Sequence, residues 1–100
     1  MLIKPRSDHK LASWLDEHPT GFVLNTTRTV NARFMVLHRA TCAMVMPKRG
    51  IRSESATQGQ YRKICADQLS DLQHWVTEKG RAYGSFSKRC GRCNPREQPS

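Results

Sequence analysis

Four cysteines and four histidines are scattered through 100 residues, and the chemistry lies in their spacing. Cys90-Gly91-Arg92-Cys93 is a C-x2-C, which lets two thiolates approach one ion from a tight turn, and Gly91 suits the unusual dihedrals of such a turn. His38-Arg39-Ala40-Thr41-Cys42 is an H-x3-C at the end of an apolar segment, and a bend at Ala40–Thr41 turns both side chains toward one point. Together the two pairs offer three thiolates and one imidazole, a common closed tetrahedral Zn²⁺ site. The expected ligands are therefore His38, Cys42, Cys90 and Cys93. Cys65 lies in an apolar segment and reads most simply as a small buried hydrophobe, with a place in the ligand set only if His38 has none. His9, His18 and His74 are expected at the surface.

These residues need elements to position them. Leu11, Trp14 and Leu15 recur at helical spacing, so Ser7 to His18 reads as an amphipathic helix with Ser7 as N-cap and Pro19 and Gly21 as stops. Phe22–Asn25 and Phe34–His38 read as two strands of a hairpin, joined by a polar stretch. Residues 47–59 form a long polar loop, and Tyr61–Cys65 a third strand. Ser70-Asp71-Leu72-Gln73 has the form of a capping box, opening a helix that presents Leu72, Trp75 and Val76 and ends at Gly80. Gly84–Cys93 reads as irregular. The expected fold is α+β: one zinc-binding domain over residues 1–100, with 97–100 frayed and a small antiparallel sheet of about three strands beside two short helices. Trp14, Trp75, Phe22, Phe34 and Phe86 are expected in its core.

Composition narrows the function. Hydrophobic residues make up 37%, a modest supply for a core, so a structural metal would add stability the core lacks. Seventeen Lys and Arg against eight Asp and Glu give a net charge of +9, and three thiolates on one Zn²⁺ change that by a single unit. Eleven of the cations are Arg, the side chain that forks onto phosphates and base edges. Arg28, Arg33, Arg49, Arg52, Arg89, Arg92 and Arg96 fall in expected loops or beside the C-x2-C, where a small scaffold places binding residues. No apolar run reaches the ~18 residues of a membrane span, and the first residues lack a signal-peptide core. A cytoplasmic monomer or weak oligomer with reduced or metal-bound thiols is expected. The acidic pairs Asp16/Glu17 and Asp67/Asp71 form no evident acid–base couple, and no phosphate loop or H-E-x-x-H occurs. A closed four-ligand zinc leaves no site for water, so the expectation leans away from an enzyme.

An H-R-x2-C after an apolar strand, then a helix, then C-x2-C-x-P, resembles the N-terminal zinc domain of the Ada DNA-alkylation response protein. The resemblance runs from Phe34 to Pro95 on His38, Arg39, Cys42, Cys90, Arg92, Cys93 and Pro95. It implies a zinc site and contact with a DNA backbone. The position matching the family's methyl-accepting cysteine is His38, which has no thiolate to alkylate, and the connector from Cys42 to Cys90 is longer. The expected function is nucleic-acid binding, DNA before RNA, through Arg39, Arg49, Arg52, Arg89, Arg92 and Arg96 around the metal. The alternatives are a zinc-stabilised interaction module for an acidic protein partner and, third, an alkyl-accepting or nuclease-type DNA-processing enzyme.

Overall fold

The computed structural model describes residues 2–42, 45, 61–83, 85–91 and 93. The elements in chain order are β1 (Leu2–Ile3), α1 (Asp8–Glu17), β2 (Phe22–Thr27), β3 (Met35–Arg39), β4 (Tyr61–Ala66), α2 (Leu69–Glu78) and β5 (Lys88–Arg89). The fold is α+β, with two helices and one mixed five-stranded sheet in the order β1-β4-β2-β3-β5. The expected hairpin and third strand form its centre, where β2 pairs antiparallel with β3 and with β4. β1 and β5 enlarge the expected three strands to five. The Gly84–Cys93 stretch is thus not wholly irregular, and β5 runs parallel to β3 rather than antiparallel.

Alternation along the strands divides the core in two. Val23 and Cys65 point to one face and pack with Leu11, Trp14 and Leu15 of α1, along with Ala40 and Val45. Leu24, Met35, Leu37 and Ile64 point to the other and pack with Leu69, Leu72, Trp75 and Val76 of α2. The sheet is thus a central layer with one helix on each side, and topology supplies the reason. From the pairings, β1 runs parallel to β2, while β4 and β5 run the opposite way. Each helix is a crossover between parallel strands, and both step in the same direction along the sheet. Crossovers of the one preferred hand, launched from oppositely directed strands, must lie on opposite faces.

The helix ends follow local chemistry. Ser7 Oγ accepts the Lys10 N–H at 3.1 Å, the expected N-cap. The capping box does not form, because α2 begins one residue before Ser70, and its N-cap, Gln68, makes no side-chain cap bond. Burial of Leu69 in the α2-side core pulls that first turn forward. Gly80 ends α2 with φ 107, the left-handed conformation that favours glycine. It is the one positive-φ glycine among the described residues, so Gly91 does not use the freedom expected of it. Gly21 serves close approach instead. A Cβ there would lie 2.7 Å from Trp14 Cη2 and 3.0 Å from the Ala66 carbonyl oxygen. Trp14 and Trp75 are core residues, as expected, while Phe22, Phe34 and Phe86 are half-buried. His18 is half-buried rather than at the surface. Its ring stacks on Trp14 with centroids 4.4 Å apart, and Nδ1 is 2.8 Å from the Trp14 carbonyl oxygen.

Candidate metal centre

Three segments meet on the α1 face at the Phe22 end of β2. β3 supplies His38, which alternation places on the side opposite Leu37. Beyond β3 the chain bends: Ala40 N donates to Gly21 O, Cys42 N to Arg39 O, and Val45 N to Cys42 O. That turn folds Cys42 back beneath the strand. β5 supplies the third segment. The parallel register sets Arg89 opposite Leu37, and Cys90 N donates to Leu37 O at 2.9 Å. Cys90 therefore comes to lie beside His38, with Cys93 three residues further along the chain.

The result is a cluster in which the metal-ligating atoms of His38, Cys42, Cys90 and Cys93 all lie within 4.8 Å of one another. These are the four residues picked out by spacing. His38, Cys42 and Cys90 are buried, and Cys93 is half-buried. Cys42 Sγ and Cys90 Sγ are 3.8 Å apart, too far for a disulfide. The Arg39 N–H donates to Cys93 Sγ at 3.2 Å, and Arg39 Nε donates to the Cys93 carbonyl at 2.9 Å. One residue thus clamps the knuckle by backbone and side chain together. Arg39 lies at the site as expected, with at least this part of its guanidinium turned to holding the turn.

The electrostatics of the protein groups alone favour neutral ligands. Burial, aided by the charge of Lys63, lowers the His38 pKa and favours the neutral imidazole that ligates metals. Its buried Nδ1 has no hydrogen-bond partner. Burial and the neighbouring Cys42 and Cys90 thiols push the Cys93 thiol up to about 12, while the Arg39 N–H pulls the other way. A bound metal ion reverses such a bias, because its charge favours thiolates.

Cys65 takes no part. Val23 pairs with His38 on one side and with Cys65 on the other. Cys65 thus sits two strands from His38, ~10 Å away at normal strand spacing. It is fully buried, and burial pushes its thiol up to about 12, the behaviour of a core residue. Arg89 is exposed, with its guanidinium 5.3 Å from the Phe86 ring centroid. The remaining expected nucleic-acid contacts, Arg49, Arg52, Arg92 and Arg96, lie outside the described residues. The expected long loop at 47–59 and the frayed end at 97–100 also lie outside them. Among the described residues no helix is long and apolar enough to cross a membrane. Of the two strands that sequence reasoning missed, β5 is the one at the site, and its two charged residues, Lys88 and Arg89, carry no alternation that could have announced it.

The class defined here is an α+β domain with a His/Cys3 cluster able to hold a metal. Comparison with protein-family models, with curated proteins and with solved structures finds no match to this chain.

Proposed function

We propose that the chain is a structural-zinc domain that binds nucleic acid, DNA before RNA. The observation that carries the metal is the convergence of three thiols and a partnerless imidazole nitrogen. A tetrahedron with ~2.3 Å Zn–S arms has edges of about 3.8 Å. The separation of Cys42 and Cys90 matches that edge. Three sulfurs with one histidine favour zinc over hard, oxygen-seeking ions, and four protein ligands leave no open position for substrate water. The metal's role is then to tie β5 and the turn after β3 to the sheet.

Nucleic acid is favoured as partner by the net charge of +9 and the eleven arginines. Arg39 and Arg89 stand beside two of the ligands, His38 and Cys90, and Arg92 and Arg96 flank Cys93 in sequence. The resemblance to the Ada zinc domain supports DNA over RNA. The test pairs metal analysis by native mass spectrometry with binding of duplex and single-stranded oligonucleotides across a salt series. One zinc per chain is expected, together with duplex affinity falling by a log–log slope of about −0.9 per phosphate contacted. No binding to any oligonucleotide at ~50 mM salt overturns the nucleic-acid reading and leaves an acidic protein surface as the partner.

A further inference from the structure

The far end of the sheet, on the opposite face from the quartet, carries a second polar feature. A cleft of about 520 Å³ opens where the chain leaves β1, where β2 ends and where β4 begins. Its wall includes Lys4, Arg6, Thr26, Arg28 and Arg62, with Trp75 of α2 contributing apolar surface. None of its lining residues carries a carboxylate. Lys4, Arg6 and Arg28 are exposed, and Arg62 is half-buried. Five cationic residues, Lys63 included, line the concavity, and the positive field they set up there attracts an anion.

A second observation marks the same place. Among the described residues two buried side-chain polar atoms have no hydrogen-bond partner. One is His38 Nδ1, at the metal cluster, and the other is Thr26 Oγ1, at this cleft. Thr26 is 1% exposed and pairs across the sheet with Arg62. A buried hydroxyl left unsatisfied is unfavourable, so such groups are uncommon and call for an explanation. The volume falls within the ~300–1,000 Å³ of small-ligand sites. Trp75 is not a platform for stacking bases, since it is 5% exposed and Lys4 Nζ lies 6.0 Å from its ring centroid. What the cleft offers is positive charge, with Thr26 in its lining. That is the chemistry of a phosphate site, and guanidinium forks suit phosphate oxygens.

We propose that this cleft binds the phosphate group of a phosphorylated ligand, through Lys4, Arg6, Arg28 and Arg62 with Thr26 at its wall. The site is separate from the arginines beside the metal and stands independently of the proposed function. Two sources present this chemistry, a small phosphorylated molecule and a nucleic-acid backbone.

The test uses the full, metal-loaded chain and follows backbone amides by NMR with two probes, inorganic pyrophosphate and a short single-stranded oligonucleotide. Saturable shifts at residues 4–6, 26–28 and 62–64 are expected with pyrophosphate. Arg28→Glu, on an exposed turn, is expected to weaken pyrophosphate by about tenfold or more. Thr26→Val is expected to weaken it several-fold without lowering Tm, because the fold loses no hydrogen bond. Shifts with both probes assign the site to backbone phosphates. Shifts with pyrophosphate alone assign it to a small ligand, and the site then stands even if the nucleic-acid reading fails. The proposal is overturned by no saturable shift there up to ~10 mM pyrophosphate in ~50 mM salt. Unchanged pyrophosphate affinity in both variants overturns it too.

Discussion

Replacing Cys90 with Ser removes one ligand atom and changes little else in volume, so its effect isolates the metal. Cys90 is 5% exposed, and its sulfur packs in the α1-side core 3.8 Å from that of Cys42. Structural zinc binding is worth roughly 10–16 kcal/mol in zinc-finger peptides, against a total stability of about 5–15 kcal/mol for a domain. The apparent contribution depends on free metal. At a thousandfold excess over Kd it is about 4 kcal/mol, and near 4–8 °C per kcal/mol that gives a fall in Tm of roughly 15–30 °C.

The loss should not spread evenly. β5 has two residues and two register pairs with β3, too little to stay docked unaided. The α1-side core includes Cys42, Val45 and Cys90, whereas the α2-side core contains none of the quartet. Hydrogen exchange should therefore quicken first at the amides of Cys90, Ser87 and Val45, which bond to Leu37, Met35 and Cys42. Amides of β2 and β4 beneath α2 should keep most of their protection. Metal stoichiometry by native mass spectrometry, thermal melts and exchange mapping read the three consequences. A Cys90→Ser protein with one zinc bound and a melt within a few degrees of wild type would refute the reasoning, because its sulfur would then be no ligand.

Two further predictions concern residues beside the centre. His38→Cys should retain metal and His38→Ala should lose it, while Cys65→Ala keeps the metal and costs about 1–2 kcal/mol in packing; zinc release from the Cys65 variant alone would reverse the ligand assignment. Burial holds the pKa of Lys63 below its ordinary value, so the folded chain binds fewer protons there than the unfolded chain. Stability from this residue must then rise with pH, from the depressed folded value up to the ordinary 10.5, and Lys63→Met should abolish that rise. Urea unfolding of both forms from about pH 8 to 10.5 checks it, and a flat wild-type-minus-variant difference contradicts it.

The parts of the fold legible in sequence are those whose burial repeats. Leu11, Trp14 and Leu15 write the helical period, and β2, β3 and β4 carry enough β-branched and apolar residues to show as strands. The start of α2 was misplaced because the capping-box pattern at Ser70–Gln73 competed with the burial of Leu69, and burial won. The quartet was legible because metal chemistry fixes spacing within each half, H-x3-C and C-x2-C, regardless of the distance between halves. Its geometry was not. The pairing that sets Cys90 beside His38 is a non-local parallel contact across some fifty residues, and no local pattern encodes it.

The two elements that sequence could not show, β1 and β5, are the two edges of the sheet, and each has two residues. Edge strands that short gain little from ladder hydrogen bonds and need another anchor. For β5 the anchor is the quartet, through Cys90 and Cys93 just beyond it. For β1 it is the packing of Leu2 against the α2-side core, followed at once by Lys4 and Arg6 at the cationic cleft. Short edges also limit the open strand surface that invites pairing with another chain. The central strands and helices are thus secured by hydrophobic burial, and the chain places its polar chemistry next to the segments that burial alone holds least. Ligand at either site should therefore register first in the protection of the neighbouring edge, well before it alters the core between them.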